Sequence, residues 1–182
     1  MACDNMIFGK CFEEIWYRPA PGGADQIHTN NRQKGKAKTM YRILLVDDEI
    51  LVRDAIKENI DWKSMDCQLV GDCENGKQAA DFVKSHPVDI VLTDILMPYM
   101  DGMELSHFLH DNYPEIVIVI FSGFGEFEYA KKAIQYNVSE YMLKPVTAME
   151  LREVIGKMKE KVDLQRKEKK KIESLTKTSQ DY

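Results

Sequence analysis

Four short stretches place side chains able to do chemistry directly behind apolar runs. Asp47, Asp48 and Glu49 follow Ile-Leu-Leu-Val at 43–46, Thr93 and Asp94 follow Ile-Val-Leu at 90–92, Ser122 follows Phe121, and Lys144 follows Tyr-Met-Leu at 141–143. In an open parallel sheet, ligands bind outside the carboxyl ends of the strands, where loops from several strands converge. The carboxylates of Asp47, Asp48 and Asp94, a hydroxyl and an amine would then meet at one rim. Three carboxylates brought together repel, and each raises the others' pKa, unless a cation neutralises them; hard oxygen donors with open positions suit Mg²⁺. Singly, each residue has a plainer reading: Asp94 capping a turn, Asp47 and Asp48 as loop acids, Ser122 as a helix cap, Lys144 as a surface charge. Their joint occurrence at successive strand ends is what points to a site.

For these residues to meet, the intervening chain must supply strands and the crossovers that return them in parallel. Apolar runs at 43–46, 88–92 and 116–120, with shorter ones at 68–70 and 141–143, alternate with helix-like segments. ILLV, VDIVL and IVIVI are nearly continuous, as in strands covered by helices on both faces. Ile50, Leu51, Ile56 and Ile60, then Ala79, Ala80 and Val83, then Met103, Leu105, Phe108 and Leu109 give the crossover helices their apolar residues. The fold class is therefore α/β, with five parallel strands. A long helix is expected from Thr147 to about Leu175, with Leu151, Ile155, Met158, Val162, Gln165, Lys169 and Ile172 stepping by four and three. Two polar positions interrupt this heptad and Lys167, Lys169, Lys170 and Lys171 crowd its end, so a short coiled coil between two copies and a solvated linker both stay open.

A chain of 182 residues, 44% hydrophobic and 30% charged, has room for one domain and its tails. No window approaches the roughly 18 consecutive apolar residues of a membrane span, and no secretion signal opens the chain, so the expected location is the cytoplasm, with no membrane partner. The net charge of −5 is unevenly spread: residues 1–40 hold six Lys/Arg and four Asp/Glu, residues 157–182 nine and five, and residues 41–156 ten and twenty-one. An acidic body of that kind does not attract DNA. Residues 1–40, with Pro19, Pro21, Gly22, Gly23 and no sustained periodicity, read as a disordered extension. Met40 precedes the first strand, so residues 1–39 are an upstream extension, an expression remnant or a mis-assigned start. Cys3, Cys11, Cys67 and Cys73 lack metal-ligand spacing and read as reduced thiols, and His107 with His110 as a solvated helix edge without a third ligand.

The rim residues sit in LLVDDE, LTDILMPYMDG, IVIFSG and YMLKP, and this set resembles the receiver domain of two-component response regulators over about residues 41–160. The wording NIDW and SGFGEFEYAKKAIQYNVSEYMLKPV is similar to receivers of AraC-type (YesN-like) transcriptional regulators. The resemblance implies a flavodoxin-like, doubly wound (βα)5 sheet, and it divides the chain into a disordered 1–40, a receiver over 41–160 and a helical linker or tail over 161–182. It implies Asp94 as phosphoacceptor, Mg²⁺ held by Asp47, Asp48, Asp94 and the backbone carbonyl of Leu96, and Ser122 and Lys144 on the phosphoryl group. Tyr141 takes the place of the aromatic that follows the switch, and the Lys144-Pro145 bond is expected to be cis. The implied partner is a sensor histidine kinase.

In that chemistry a carboxylate attacks an anionic phosphoryl donor, so positive charge must offset what accumulates on the transferring oxygens. Gly123 and Gly125 flank Phe124 and let the loop follow Ser122, altering the face formed by 126–137 and 147–160. That face, or the C-terminal helix, is the expected surface of a homodimer. Leu96 and Phe124, two residues beyond Asp94 and Ser122, cannot orient a hydrolytic water, and slow dephosphorylation follows. A competing reading is an Mg-dependent phosphatase of the haloacid dehalogenase type, which also uses a strand-end Asp; it wants a second Asp two residues on, where this chain has Leu96. The residues after Lys161 are too few to build a DNA-binding domain with its own core, so no nucleic-acid contact is expected of this chain.

Overall fold

Strands of the expected kind form wherever an apolar run can be covered on both sides. The computed structural model describes residues 40–123 and 138–178. The strands are β1 (Tyr41–Val46), β2 (Cys67–Cys73), β3 (Ile90–Asp94), β4 (Val117–Ser122) and β5 (Glu140–Leu143), and the helices are α1 (Ile50–Asn59), α2 (Gly76–Ser85), α3 (Gly102–Asn112) and α4 (Ala148–Thr178). All pairings are parallel, in the order β2-β1-β3-β4-β5. This is the expected doubly wound, flavodoxin-like α/β sheet. Its order reverses between β1 and β3, which opens a crevice at their carboxyl ends. The expected disordered tail over residues 1–40 and the expected moving segment 126–137, with Phe124, lie outside the described residues, apart from Met40.

Because successive strand residues face opposite ways, the continuous apolar runs supply two cores. Ile43, Leu45, Ile90, Leu92, Val119 and Phe121 pack against α1 and α4, while Leu44, Val46, Val91, Ile118 and Ile120 pack against α2 and α3. The apolar side of α1 differs from expectation in part. Ile56 and Ile60 are buried as expected, but Ile50 and Leu51 are 60% and 74% exposed, and Val52 and Arg53 face inward in their place. With 3.6 residues per turn, Ile56 and Ile60 share a side with Val52 and Arg53, which leaves the first two residues of the helix to solvent.

The starts of α3 and α4 are fixed by side chains. Asp101 and Glu104 form a reciprocal capping box at α3, and Thr147 and Glu150 do the same ahead of α4: the Glu150 carboxylate accepts from the Thr147 N–H at 2.9 Å, and the Thr147 hydroxyl accepts from the Glu150 N–H at 3.2 Å. Gly102 lies so close to the Asp94 carbonyl that a Cβ there would overlap it, so the α3 start is drawn tight against the end of β3.

In α4, Leu151, Ile155, Met158 and Val162 are buried as expected, whereas Lys169 and Ile172 are exposed. The helix stays attached beyond Val162. Tyr41 donates its hydroxyl to Asp163 at 2.7 Å, and Arg166 reaches the buried Asp89 at 2.9 Å, where Arg42 also binds. Burial and the Asp163 carboxylate push the Tyr41 phenol up to about 12. From Lys167 to Thr176 every residue is exposed.

Candidate functional site

Asp47 follows β1 directly, and Asp94 is the last residue of β3, its central neighbour. Both are buried, and Asp48 is exposed beside them. One carboxylate oxygen from each of Asp47, Asp48 and Asp94 lies within 4.8 Å of the other two, the one grouping of this kind among the described residues. Glu49 stands apart as the residue before α1. On the other side of the crevice, Lys144 follows β5, and its Nζ lies 3.0 Å from Asp47 Oδ2 and 3.1 Å from Asp94 Oδ2. The remaining oxygens are held by the backbone: Asp47 Oδ1 accepts from the Glu49 N–H at 2.9 Å, and Asp94 Oδ1 from the Ile95 N–H at 2.8 Å.

Burial pushes Asp94 up to about 6; Lys144 works against that shift and the Asp47 charge adds to it. For Lys144, burial opposes the charged form, but Asp47 and Asp94 outweigh it and raise its pKa. One ammonium thus faces three carboxylates. This deficit of positive charge among hard oxygen donors is what a divalent cation would fill, so these residues fit Mg²⁺.

Ser122 ends β4, buried, with its hydroxyl donating to the Gly123 carbonyl at 3.1 Å. Tyr141 of β5 donates its hydroxyl to Ser122 Oγ at 2.5 Å, and the Lys144 N–H donates to the Ser122 carbonyl at 2.6 Å. The two strand ends that carry the hydroxyl and the amine are therefore tied together. Register explains this: Ser122 pairs with Leu143, one residue before Lys144, as Asp94 pairs with Phe121. The Lys144-Pro145 bond is cis, as expected. Leu96 is 52% exposed just past Asp94, and Phe124 lies outside the described residues.

Two charged residues were not among the expected site residues. Arg53 of α1 is 5% exposed and donates Nη1 to the main-chain carbonyl of Asp47 at 2.6 Å and Nε to Asp72 at 2.9 Å. Its signal in the sequence is faint, a charge that directly follows Val52 and precedes Ile56 by three residues. Asp89, just before β3, is the other. By contrast, His107 bonds Asp111 one turn on, both well exposed, which fits the expected solvated edge. Cys67 and Cys73 are free, buried thiols, each pushed up to about 11 chiefly by burial.

The family model for the response regulator receiver domain matches residues 43–156. Among curated proteins, the chain is 40% identical over 124 residues to the uncharacterized transcriptional regulatory protein YesN of Bacillus subtilis, covering 66% of this chain and 34% of that protein. It is 29% identical over 119 residues to the transcriptional regulatory protein HptR of Staphylococcus aureus, covering 65% and 46%. The chain thus spans between a third and a half of these relatives' length. Among solved structures, the REC domain of AraT, a response regulator from Geobacillus stearothermophilus, superposes with a TM-score of 0.66 at 35% identity, covering 70% of this chain and 98% of that one. A two component transcriptional regulator AraC from Clostridium phytofermentans gives 0.65 at 33%, covering 69% and 98%. These relatives are named as transcriptional regulators, which conflicts with the expectation that this chain makes no nucleic-acid contact. The chain belongs to the response regulator receiver domain family of two-component systems.

Proposed function

We propose that this receiver accepts a phosphoryl group on Asp94 from a sensor histidine kinase and uses it to switch an output, transcription being the output suggested by its relatives. The observation that carries this reading is the set of three clustered carboxylates with Lys144 within 3.1 Å of two of them. An Asp94 oxygen attacks phosphorus, the phosphorus–nitrogen bond to the donor histidine breaks, and the new oxygen–phosphorus bond makes an acyl phosphate. The electron pair leaves on the histidine nitrogen. Asp47, Asp48, Asp94 and the backbone carbonyl of Leu96 would hold Mg²⁺, which when bound supplies positive charge to the transferring oxygens. Lys144 supplies a second charge from the opposite side, already aimed at Asp94.

Ser122 then donates to the new phosphoryl group by turning its hydroxyl proton away from the Gly123 carbonyl. Tyr141 donates to the same oxygen and follows it. The altered surface is the face of 126–137 and 147–160, through which, or through α4, two copies pair. Leu96 and Phe124 leave the acyl phosphate without a side chain that aligns water, so the mark decays slowly. The receiver covers 41–160, preceded by the extension 1–40 and followed by the helical tail 161–182, whose Val162 and Arg166 still pack on the body. Among the described residues no helix is long and apolar enough to cross a membrane, and a cytoplasmic location is part of this proposal.

Acetyl phosphate and Mg²⁺ test the reading by intact mass. A phosphoryl adduct on the wild type and none on Asp94→Asn is the expected result; an unmodified wild type, or an equal adduct on the variant, overturns it. A generic phosphomonoester tests the phosphatase alternative. No multiple turnover is expected, since the position two residues beyond Asp94 is Leu96 rather than an acid.

A further inference from the structure

Asp48 presents a puzzle. Asp47 is held by Lys144 and the Glu49 N–H, and Asp94 by Lys144 and the Ile95 N–H. The Asp48 carboxylate is exposed and, among the described residues, accepts no comparable bond, yet it stands in the same cluster. Its placement must come from its main chain. The peptide joining Asp47 to Asp48 has its carbonyl gripped by Arg53 Nη1 at 2.6 Å, and the Asp47 N–H one bond earlier donates to the Cys73 carbonyl at 3.1 Å.

Arg53 is itself well fixed. Its Nε donates to Asp72 Oδ2 at 2.9 Å, and its Nη2 lies 3.9 Å from Glu74 Oε1, so the planar guanidinium bridges the carboxyl ends of β1 and β2 from the first turn of α1. A guanidinium can bond a carbonyl and a carboxylate at once in one plane, whereas an ammonium on a flexible stem cannot hold both in that geometry. The Arg53 side chain is almost fully buried, and its bond to the Asp47 carbonyl is buried with it, so that bond competes little with water.

We propose that Arg53 is a positioning residue for the cation site: by fixing the Asp47–Asp48 peptide plane it aims the Asp48 carboxylate at the cluster, and it thereby sets the affinity for Mg²⁺. The inference rests on the reading of Asp47, Asp48 and Asp94 as the Mg²⁺ ligands. Partners that orient metal ligands from outside the coordination shell commonly carry about tenfold or more of the affinity.

The sign of the effect separates positioning from plain electrostatics. Arg53 is a cation beside a cation site, so if charge were its only influence, Arg53→Gln would tighten Mg²⁺ binding and Arg53→Lys would leave it unchanged. Positioning demands that both variants weaken it. The measurement is Mg²⁺ titration of the unphosphorylated full chain by calorimetry, with melting in EDTA to record stability separately. Both variants are expected to bind about tenfold or more weakly than wild type. Equal or tighter binding by either folded variant overturns the proposal. Should both fail to fold, the wild-type Arg53 Nε–H resonance decides: it is expected to shift with Mg²⁺ along the calorimetric saturation curve, and an unmoved resonance overturns the proposal. Asp48→Asn is the control for the underlying reading. If it binds Mg²⁺ as wild type does, the ligand assignment has failed; if it binds weakly while the Arg53 variants bind normally, only the positioning role has.

Discussion

Ionised Asp94 makes the metal-free protein less stable than it would be with a neutral group at that position, and the size of the effect can be worked from the structure. Asp94 is 8% exposed, shares Lys144 with Asp47, and is pushed from 3.8 to about 6. At about 1.4 kcal/mol per pH unit, that displacement corresponds to about 3 kcal/mol. Because the folded value is raised, the associated stability is fully present below the unfolded value near 3.8. It is lost as pH rises through about 6 and stays lost above. Asparagine stands in for the protonated acid, so Asp94→Asn should match wild type near pH 4 and exceed it by roughly 3 kcal/mol at pH 7.5. Urea unfolding in EDTA across that range is the assay. Added Mg²⁺ should then stabilise wild type more than the variant, since binding to the folded state alone adds RT ln(1 + [L]/Kd). A variant no more stable than wild type at pH 7.5 in EDTA, or an advantage that does not change between pH 4 and 7.5, would refute the account of Asp94 as an under-neutralised buried acid.

Other outcomes follow from the same geometry. Leu96→Asn, at a position 52% exposed, should cost no more than about 0.5 kcal/mol of stability yet shorten the life of the acyl phosphate, measured as decay of the intact-mass adduct; an unchanged decay rate removes the proposed role of Leu96. Tyr141→Phe and Ser122→Ala should be non-additive by about 1 kcal/mol in a double-mutant cycle of stability, because each removes the same hydroxyl bond, and strict additivity would count against it. For Asp89, burial raises the pKa, but the hydrogen bonds and charges of Arg42 and Arg166 outweigh it and hold the carboxyl below 3.8. Its stabilising contribution is present above 3.8 and fades as pH falls through that lowered value, so Asp89→Asn should lose roughly 1–3 kcal/mol at pH 7 and progressively less as pH falls below 3.8 in urea unfolding.

The three central strands were legible because they are buried on both faces, which removes the polar alternation that blurs most strands. The edge strand β2 was harder. Only its residues 68–70 stand out, and the strand runs on through Gly71, Asp72 and Cys73, since an edge position tolerates glycine and an exposed acid. The rim residues were found because chain order alone delivers strand ends to one side of a parallel sheet; no side-chain geometry was needed. What escaped were the charges used inside the fold. Arg53 looks like solvent-facing helix polarity, and Asp89 sits within VDIVL as if it were an interruption of a strand. Each is explained by partners far away in sequence, Asp72 for Arg53 and both Arg42 and Arg166 for Asp89, which no local pattern reveals. Ile50 and Leu51 misled for the opposite reason: they are apolar by type but precede the turn at which α1 meets the sheet.

The two acids that bracket β3 show how one strand can carry both a lock and a working group. Asp89 and Asp94 lie at its opposite ends, both buried, yet their carboxyls shift in opposite directions. The difference is the ratio of cations to acids. Asp89 meets two guanidiniums, one from β1 and one from α4, and is held ionised; it fastens the long helix to the far end of the sheet and has nothing left to accept. Asp94 shares a single ammonium with Asp47 and has Asp48 beside it, so its ionised form is poorly compensated and another positive partner is favoured there. Adding a second fixed cation at that rim would turn Asp94 into another Asp89, more stable and less able to bind Mg²⁺ or to give its oxygen to phosphorus. The incomplete neutralisation of Asp94 is thus what separates this rim from an ordinary structural ion pair, and it is the property on which its proposed cation and phosphoryl roles rest.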